Sequence, residues 1–334
     1  MQEIMNSTDI AFPHLGIYLK DIPQGFYIGN FFIAYYGVII GLGIMAGILM
    51  AVHMAKRTGL DPEIVWDFAI YAVIFSVIGA RTYYVVFEWD SYKDDLLQIF
   101  NTRQGGMAIY GAVIGAFITL FVYCRIKKIK ALHIGDVGVM GLVLGQVIGR
   151  WGNFINREVF GEYSDGFLAM RLPIEAVRSR DISENLRAHI VEGTNYIQVH
   201  PTFLYESALN LCLLIFMYFY AKRKKFQGEM CLLYLGGYGI IRFFIEGIRT
   251  DQLKLGDTGI AVSQMLGIIL FVISVALDIG IRIWLKRRLV SAEITAVSEE
   301  PMQESEETQE SESAVQEPTQ KPETVHCESE EPEK

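Results

Sequence analysis

Residues 149–161 combine side chains that are suited to binding an anion. This stretch, GRWGNFINREVFG, follows an apolar run at residues 137–148 in which one glutamine is the only polar residue. Charged groups at membrane depth are costly, so they persist where they face a cavity or a polar ligand. Arg150 offers a planar fork of donors that suits phosphate, while Asn153 and Asn156 both donate and accept hydrogen bonds. The pattern predicts a phosphate ester bound at a membrane surface; an ordinary helix end with interfacial polar residues is the alternative.

The elements that must position these residues are apolar segments of membrane-spanning length. The chain has 334 residues, of which 51% are hydrophobic, and a mean hydropathy of +0.29. Crossing a bilayer takes about 20 apolar residues, and separate segments of that length can satisfy their backbone groups in lipid only as helices. We therefore predict an all-α integral membrane protein with seven transmembrane helices, near residues 28–54, 64–87, 107–124, 132–150, 202–221, 229–248 and 258–285.

Composition divides the chain into a membrane domain at 1–290 and an acidic tail at 291–334. The tail contains fourteen Glu and two Lys, so it accounts for the net charge of −9. It has too little apolar surface to fold alone, which predicts disorder. Between the fourth and fifth segments, residues 155–200 are expected to form a small external cap. The four cysteines match no zinc pattern, and no metal site is expected.

Lysine and arginine clusters predict the orientation of the segments. They follow the first, third, fifth and seventh segments, at residues 56–57, 125–130, 222–225 and 286–288. By the positive-inside rule, the N-terminus lies outside and the C-terminus lies in the cytoplasm. The protein is thus expected to be a multi-pass membrane protein.

This orientation places the unusual polar residues of six segments at one membrane depth, in the half of each segment nearest the outside. They are Tyr36, Arg81, Tyr110, Arg150 with the rest of residues 149–161, His200 and Glu206, and Tyr238, Arg242, Glu246 and Arg249. Random placement would scatter such residues over both leaflets. The convergence predicts one active cavity that faces the outer leaflet.

The sixth segment carries four of these residues on one helical face. Tyr238, Arg242, Glu246 and Arg249 are spaced by four, four and three positions. Glu246 is expected to pair with one of the two arginines and hold its guanidinium in place. The alternative is an ion-pair ladder that only joins helices.

The pattern Gly-Arg-x-Gly-Asn-Phe-x-Asn-x-Glu-x-x-Gly within residues 149–161 resembles the signature of the phosphatidylglycerol–prolipoprotein diacylglyceryl transferase family. Residues 80–84, 105–109, 200–206 and 238–246 are similar to other blocks of that family. The resemblance runs from about residue 25 to 288 and leaves out the acidic tail.

The resemblance implies the reaction, the partners and the location. Members of the family move a diacylglyceryl group from phosphatidylglycerol to the lipobox cysteine of a prolipoprotein, which forms a thioether and releases glycerol phosphate. The expected partners are phosphatidylglycerol, prolipoprotein signal peptides with a lipobox cysteine, and the lipid bilayer. No cofactor and no nucleic acid are expected. The expected location is the bacterial cytoplasmic membrane.

The resemblance and the predicted depth together suggest the site residues. Arg150 and Arg242 are expected to stabilise charge on the leaving phosphate, while Asn153 and Asn156 orient the headgroup or glycerol. Glu158 and Glu246 are expected to position arginines, and Arg81 either joins the cavity or has a structural pairing. The full set expected to bind phosphatidylglycerol is Tyr36, Arg81, Arg150, Asn153, Asn156, Glu158, Gly161, Tyr238 and Glu246.

The sequence leaves three alternatives for the proton acceptor, because Tyr110 stands where many family members have histidine. A tyrosine has an ordinary pKa near 10, whereas His200 has one suited to base chemistry. A third option is that the leaving phosphate or water takes the thiol proton. Our hypothesis is that Tyr110 contributes by hydrogen bonding and charge stabilisation; the alternative is a hydrogen bond that only orients a substrate.

A membrane transporter or channel with a polar cavity at the outer leaflet is the alternative function. Transporters often contain repeated halves, which this sequence does not show, and the unusual polar residues stop at one leaflet. Intramembrane proteolysis is disfavoured because the sequence contains neither His-Glu-x-x-His nor Gly-x-Ser-x-Gly.

Overall fold

Most of the chain is helical, and the computed structural model describes residues 4–102, 105–255 and 259–313. The strands are β1 (Ile10–Phe12), β2 (Ile17–Leu19), β3 (Gly25–Ile28), β4 (Phe31–Ala34), β5 (Met170–Pro173) and β6 (Tyr196–Val199). The helices are α1 (Tyr35–Thr58), α2 (Pro62–Phe87), α3 (Ile109–Lys127), α4 (Ala131–Asn156), α5 (Glu184–Ala188), α6 (Thr202–Tyr220), α7 (Glu229–Ile248) and α8 (Val262–Ser313). The chain divides into two units, Met1–Asp278 and Ile279–Lys334. The second contains the latter part of α8, and the site described below lies in the first.

The predicted seven membrane helices are confirmed. Within the described residues, α1, α2, α3, α4, α6, α7 and α8 are long and apolar enough to cross a membrane. The first predicted segment begins too early, because residues 25–34 form the hairpin of β3 and β4 before α1 starts at Tyr35. In contrast, α4 continues beyond its predicted end to Asn156, so the first half of residues 149–161 is helical.

Local sequence explains where α1 ends and α2 begins. α1 stops at Gly59, which has a φ of 75° and donates its N–H to the carbonyl of Ala55; glycine adopts this left-handed conformation without steric cost. The carboxylate of Asp61 then accepts from the N–H of Glu63, and Pro62 occupies the first helical position of α2. Both features favour a helix start. Only three residues therefore separate the end of α1 from the start of α2.

The acidic tail is only partly covered by the structure. The backbone of α8 continues as far as Ser313, past the boundary at residue 290 that composition suggests. Residues 314–334 lie outside the described residues. Disorder of the tail therefore stays a prediction.

Glycines bring neighbouring helices into close contact. A Cβ added at Gly47 of α1 would lie 2.7 Å from the carbonyl oxygen of Gly141 in α4, and one at Gly79 of α2 would lie 2.4 Å from that of Gly111 in α3. Small residues allow this backbone approach in membrane bundles, where dispersion contacts replace the hydrophobic effect. Gly47 and Gly141 also line the same cavity as Arg150.

The cap predicted at residues 155–200 is a four-stranded antiparallel sheet that also recruits the N-terminus. Its strand order is β2-β1-β5-β6, with Met170 opposite Val199 and Ala11 opposite Arg171. The sequence did not assign β1 and β2 to this layer. A separate hydrophobic core holds the cap against the bundle, and its members include Ile10, Phe154, Phe160, Leu172 and Phe203.

Arg157 fastens the N-terminal segment to the end of α4. Its side chain is 3% exposed, and its guanidinium donates to the backbone carbonyls of Thr8, Ile22 and Ile155. Arg157 is also the residue that ends α4, with a φ of 55°. One side chain thus connects the N-terminal segment to the stretch that carries the candidate site.

We expect Arg157→Ala to destabilise the protein in detergent by about 2–4 kcal/mol, because it leaves three partly buried backbone carbonyls without a charged donor. For a chain of this size, a melting temperature lower by roughly 4–15 °C follows. Thermal unfolding followed by near-UV circular dichroism measures the change. Arg180→Ala is the control, since the side chain of Arg180 is 77% exposed. Equal melting temperatures for the two variants would contradict this role of Arg157.

Candidate active site

Two partly buried arginines share one buried carboxylate at the centre of the site. Arg150 lies on α4, and its Nη2 is 2.7 Å from Oε1 of Glu206 on α6. Arg242 lies on α7, and its Nη1 is 3.4 Å from Oε2 of the same carboxylate. The side chain of Glu206 is 1% exposed. A buried carboxylate with these contacts holds both guanidiniums in fixed orientations, because leaving any of these charges unpaired would be strongly unfavourable.

A second carboxylate extends this network along α7. Oε2 of Glu246 is 2.5 Å from Nη2 of Arg242 and 3.5 Å from Nη1 of Arg249. Arg249 in turn donates to both carboxylate oxygens of Asp251, at 2.9 and 2.7 Å. Burial opposes ionisation of Asp251, but the hydrogen bonds and charge of Arg249 outweigh it and lower the pKa of that carboxyl. Glu246 was predicted to pair with one of the two arginines, and in the structure it contacts both. We name the four residues Arg150, Glu206, Arg242 and Glu246 the arginine centre.

The amides of residues 149–161 are organised by Glu158. Its Oε1 accepts from the side chains of Asn153, at 3.0 Å, and Asn156, at 3.4 Å. Its Oε2 lies 3.1 Å from the guanidinium of Arg178 in the cap. Asn153 also accepts from Nη1 of Arg150, at 3.2 Å. Glu158 therefore positions the asparagines, and within the described residues its connection to Arg150 runs through Asn153.

A cavity of about 790 Å³ lies beside the arginine centre, among α1, α2, α3, α4 and α7. Its polar lining residues are Tyr36, Gln146, Arg150, Asn153, Tyr234 and Tyr238, and the remainder are glycines and apolar side chains. Arg242 joins it indirectly, through Glu206, whose Oε1 is 3.4 Å from the hydroxyl of Tyr238. The arrangement can receive a molecule with a long apolar part and one polar, anionic end.

Gly152 and Gly161 act by allowing close packing. A Cβ on Gly152 would lie 2.7 Å from the ring of Tyr36, so glycine lets that ring lie against α4 in the cavity wall. At Gly161, a Cβ would lie 2.8 Å from that of His200. The N–H of Gly161 donates to the carbonyl of His200. The structure thus places Gly161 among backbone contacts and not in the cavity lining.

The connection between these glycines contains an unusual backbone conformation. Val159 has a φ of 59°, which β-branched residues rarely adopt. Its carbonyl accepts from the hydroxyl of Thr202 at the start of α6. Tertiary contacts to α6 therefore hold a conformation that the local sequence does not favour.

Besides Gly161, three more predicted site residues do not contact the arginine centre in the described part of the chain. Arg81 of α2 donates to the backbone carbonyls of residues 98, 99, 101, 105 and 106, so it has the structural pairing that was the alternative for it. Tyr110 is 55% exposed, and its ring centroid is 6.3 Å from that of Tyr83. His200 contacts the hydroxyl of Tyr205 at 3.3 Å. Burial lowers the pKa of His200, which keeps its imidazole neutral at pH 7.

Glu206 is a candidate site residue that the sequence-based set omitted, although it contacts both Arg150 and Arg242. It belongs to the block at residues 200–206, and it is an acidic residue in an apolar segment at the depth of the other polar groups. An acidic residue at this depth would by itself have justified including Glu206 among the predicted site residues. Gln146 is a similar case: it donates to the hydroxyl of Tyr234 at 2.9 Å, and its buried Oε1 has no hydrogen-bond partner among the described residues.

Comparison with known proteins identifies the family. The family model described as prolipoprotein diacylglyceryl transferase matches residues 23–279. A phosphatidylglycerol–prolipoprotein diacylglyceryl transferase of Finegoldia magna is 40% identical over 248 residues, which cover 74% of this chain and 90% of the relative. Proteins of the same name from Clostridium botulinum strain 657 (39% identity; 74% of this chain and 95% of the relative) and Listeria monocytogenes serotype 4a (40%; 78% and 90%) are also similar. The chain belongs to the prolipoprotein diacylglyceryl transferase family.

Proposed function

We propose that this protein transfers the diacylglyceryl group of phosphatidylglycerol to the thiol of a lipobox cysteine in a prolipoprotein. The observation that carries this proposal is the arginine centre at the polar side of a cavity of about 790 Å³ with a mainly apolar lining. Such a site suits a phospholipid, because the acyl chains need apolar walls and the phosphate needs oriented donors.

The reaction forms one bond and breaks one bond at the same carbon. The cysteine sulfur attacks the glycerol carbon that carries the phosphate ester, so a C–S bond forms while the C–O bond breaks. Glycerol phosphate leaves with the bonding electron pair, and the thiol proton passes to an acceptor. Charge grows on the departing phosphate, where preorganised guanidinium groups lower the barrier.

We assign that stabilisation to Arg150 and Arg242. Glu206 holds both guanidiniums, so little reorganisation is needed when the charge develops. Asn153 and Asn156, fixed by Glu158, are proposed to orient the glycerol or the headgroup. Tyr36 and Tyr238 line the same cavity and are proposed to complete the polar wall.

The activity can be tested by incubating a synthetic lipobox peptide with the purified protein in phosphatidylglycerol vesicles. We expect a mass increase equal to one diacylglyceryl group, with release of glycerol phosphate in equal amount. A peptide with serine in place of the cysteine and vesicles of phosphatidylcholine are the controls. An unmodified cysteine peptide, from protein that is folded by circular dichroism, would refute the proposed function.

The proposed orientation has the N-terminus outside, the C-terminus in the cytoplasm, and the arginine centre toward the outer leaflet of the bacterial cytoplasmic membrane. It is supported by basic residues in the last turns of α1 and α3 and directly after α6. A reporter active only in the cytoplasm should give a signal when fused after Arg288 and no signal when inserted after Asp94. The reverse pattern would overturn the orientation.

Tyr110 and His200 are the two candidates for the acceptor of the thiol proton. Within the described residues, neither of them contacts the arginine centre. We therefore expect Tyr110→Phe and His200→Ala each to lower the turnover number less than Arg242→Lys does. Under this proposal the leaving phosphate or water takes the proton, and Tyr110 assists only by hydrogen bonding. Turnover numbers for the three variants, measured with the same peptide, test this order. A loss in His200→Ala as large as that in Arg242→Lys would instead assign the proton transfer to His200.

A further inference from the structure

A second groove lies on another face of the bundle, formed by α1, α4 and α6. Its volume is about 650 Å³, and its lining includes Leu49 and His53 of α1 and Ile215, Tyr218 and Phe219 of α6. Leu49 and Phe219 are 52% and 69% exposed. Because these helices are of membrane-spanning type, the groove opens toward lipid. Within the described residues, it has no lining residue in common with the cavity beside the arginine centre.

One end of this groove carries an incompletely satisfied cation. The guanidinium carbon of Arg57 lies 4.3 Å from the centroid of the Tyr218 ring, and Nε2 of His53 lies 3.3 Å from the Tyr218 hydroxyl. Nη1 of Arg57 is buried and has no hydrogen-bond partner among the described residues. The side chain of Arg57 as a whole is only partly buried, so a turn of the guanidinium toward the groove would let an acceptor on a ligand satisfy this donor.

The length of the groove matches one leaflet. From Ala46, which lines its inner end, to Arg57 there are eleven residues of α1, or about 16 Å at 1.5 Å per residue. This is close to half of the roughly 30 Å hydrocarbon core of a bilayer. Tyr36 lies beside the arginine centre on the same helix, and at 1.5 Å per residue it is about 30 Å from Arg57 along the axis of α1. The groove therefore extends from the middle of the membrane to the surface opposite the arginine centre.

The charge around Arg57 favours an anion. Lys56 precedes it in the last turn of α1, and Lys222 and Arg223 form the turn directly after α6. The carbonyl ends of α1 and α6 carry a partial negative charge, so these basic side chains are what makes a phosphate favourable here. A zwitterionic headgroup would bring another positive charge next to these basic side chains, whereas an anionic headgroup would not.

We propose that this groove binds one anionic phospholipid from the leaflet opposite the arginine centre. Its phosphate accepts from Arg57, and one acyl chain lies along Leu49, Ile215 and Phe219. The site is independent of the proposed transfer reaction and takes no part in its chemistry.

Photolabelling of the full-length protein in lipid nanodiscs tests the proposal. The probe is a phosphatidylglycerol analogue with a diazirine on one acyl chain, and labels are mapped to single residues by mass spectrometry. Residues 214–219 report the groove, because none of them lines the cavity beside the arginine centre. We expect Arg57→Gln to reduce this labelling about tenfold, the effect of one charge-assisted hydrogen bond.

Two further variants and one lipid make the result decisive. Arg125→Gln removes the same charge from the last turn of α3 and should leave the labelling of residues 214–219 unchanged. Ile215→Trp fills the groove but keeps Arg57, and it should also lower the labelling of residues 214–219. Both groove variants should retain transferase turnover within about twofold, because distant sites act independently. Equal labelling by a phosphatidylcholine analogue, or no effect of either groove variant, would show annular lipid contact only.

Discussion

Replacing Arg242 with lysine is expected to lower kcat/KM by about a hundredfold or more, although the positive charge is kept. In the structure, Nη1 of Arg242 reaches Glu206 while Nη2 reaches Glu246, so the two carboxylates orient the fork from two sides. A lysine ammonium is a single point charge and cannot maintain both contacts while it also faces a phosphate. Arg150→Lys should behave in the same way, because its two nitrogens contact Glu206 and Asn153.

The form of the loss separates transition-state stabilisation from simple binding. If these arginines act on the leaving phosphate, kcat and kcat/KM fall together, whereas a role in ground-state binding alone would raise KM. Initial rates over a range of phosphatidylglycerol content in mixed vesicles distinguish the two. Arg180→Lys, an exposed arginine of the cap, is the matched control and should retain normal rates. A normal kcat in Arg242→Lys would reduce that residue to a structural role.

Glu206→Gln is expected to cause a comparable loss of activity. An amide can accept on one side only, and its NH₂ group would face a guanidinium donor on the other. Either Arg150 or Arg242 then loses its buried partner, and the site gains one net positive charge. Breaking a buried ion pair in this way typically costs about 3–5 kcal/mol. The loss should therefore appear both in turnover and in thermal stability.

Glu229→Gln is the matched control for Glu206→Gln. Glu229 is also a fully buried carboxylate, at the start of α7 and far from the arginine centre. It accepts from the Tyr220 hydroxyl and the backbone N–H of Lys225. We expect Glu229→Gln to lower the melting temperature in detergent while leaving the turnover of the folded protein intact. If turnover falls by the same factor for each degree of melting temperature lost in both variants, Glu206 is only a structural residue.

A double-mutant cycle shows whether Arg150 and Glu206 act as a unit. Arg150→Gln and Glu206→Gln should each be nearly inactive, and the double variant should be scarcely worse than either one. Residues in one ion-pair network are coupled in this way, whereas independent residues give additive losses. Additive losses would mean that Glu206 does not hold Arg150 for catalysis.

The sequence alone determined the membrane class, the number of spans and the family resemblance. These follow from local properties: apolar length dictates a helix in lipid, and a helical period places Arg242, Glu246 and Arg249 on one face. The α7 part of the arginine centre was therefore predictable. Residues 149–161 carried the family pattern within one continuous stretch, so no knowledge of contacts was needed to find it.

Only the tertiary structure decided which charges meet. Arg150 and Glu206 are 56 positions apart, and their pairing depends on the axial position and rotation of α4 against α6, which no local period specifies. Arg81 shared the depth of the site residues, yet it is directed to loop carbonyls. The N-terminal strand β1 joined the cap because it pairs with β5, far along the chain. Depth in the membrane is encoded by sequence distance along each helix, whereas the direction in which a side chain points between helices is set by packing.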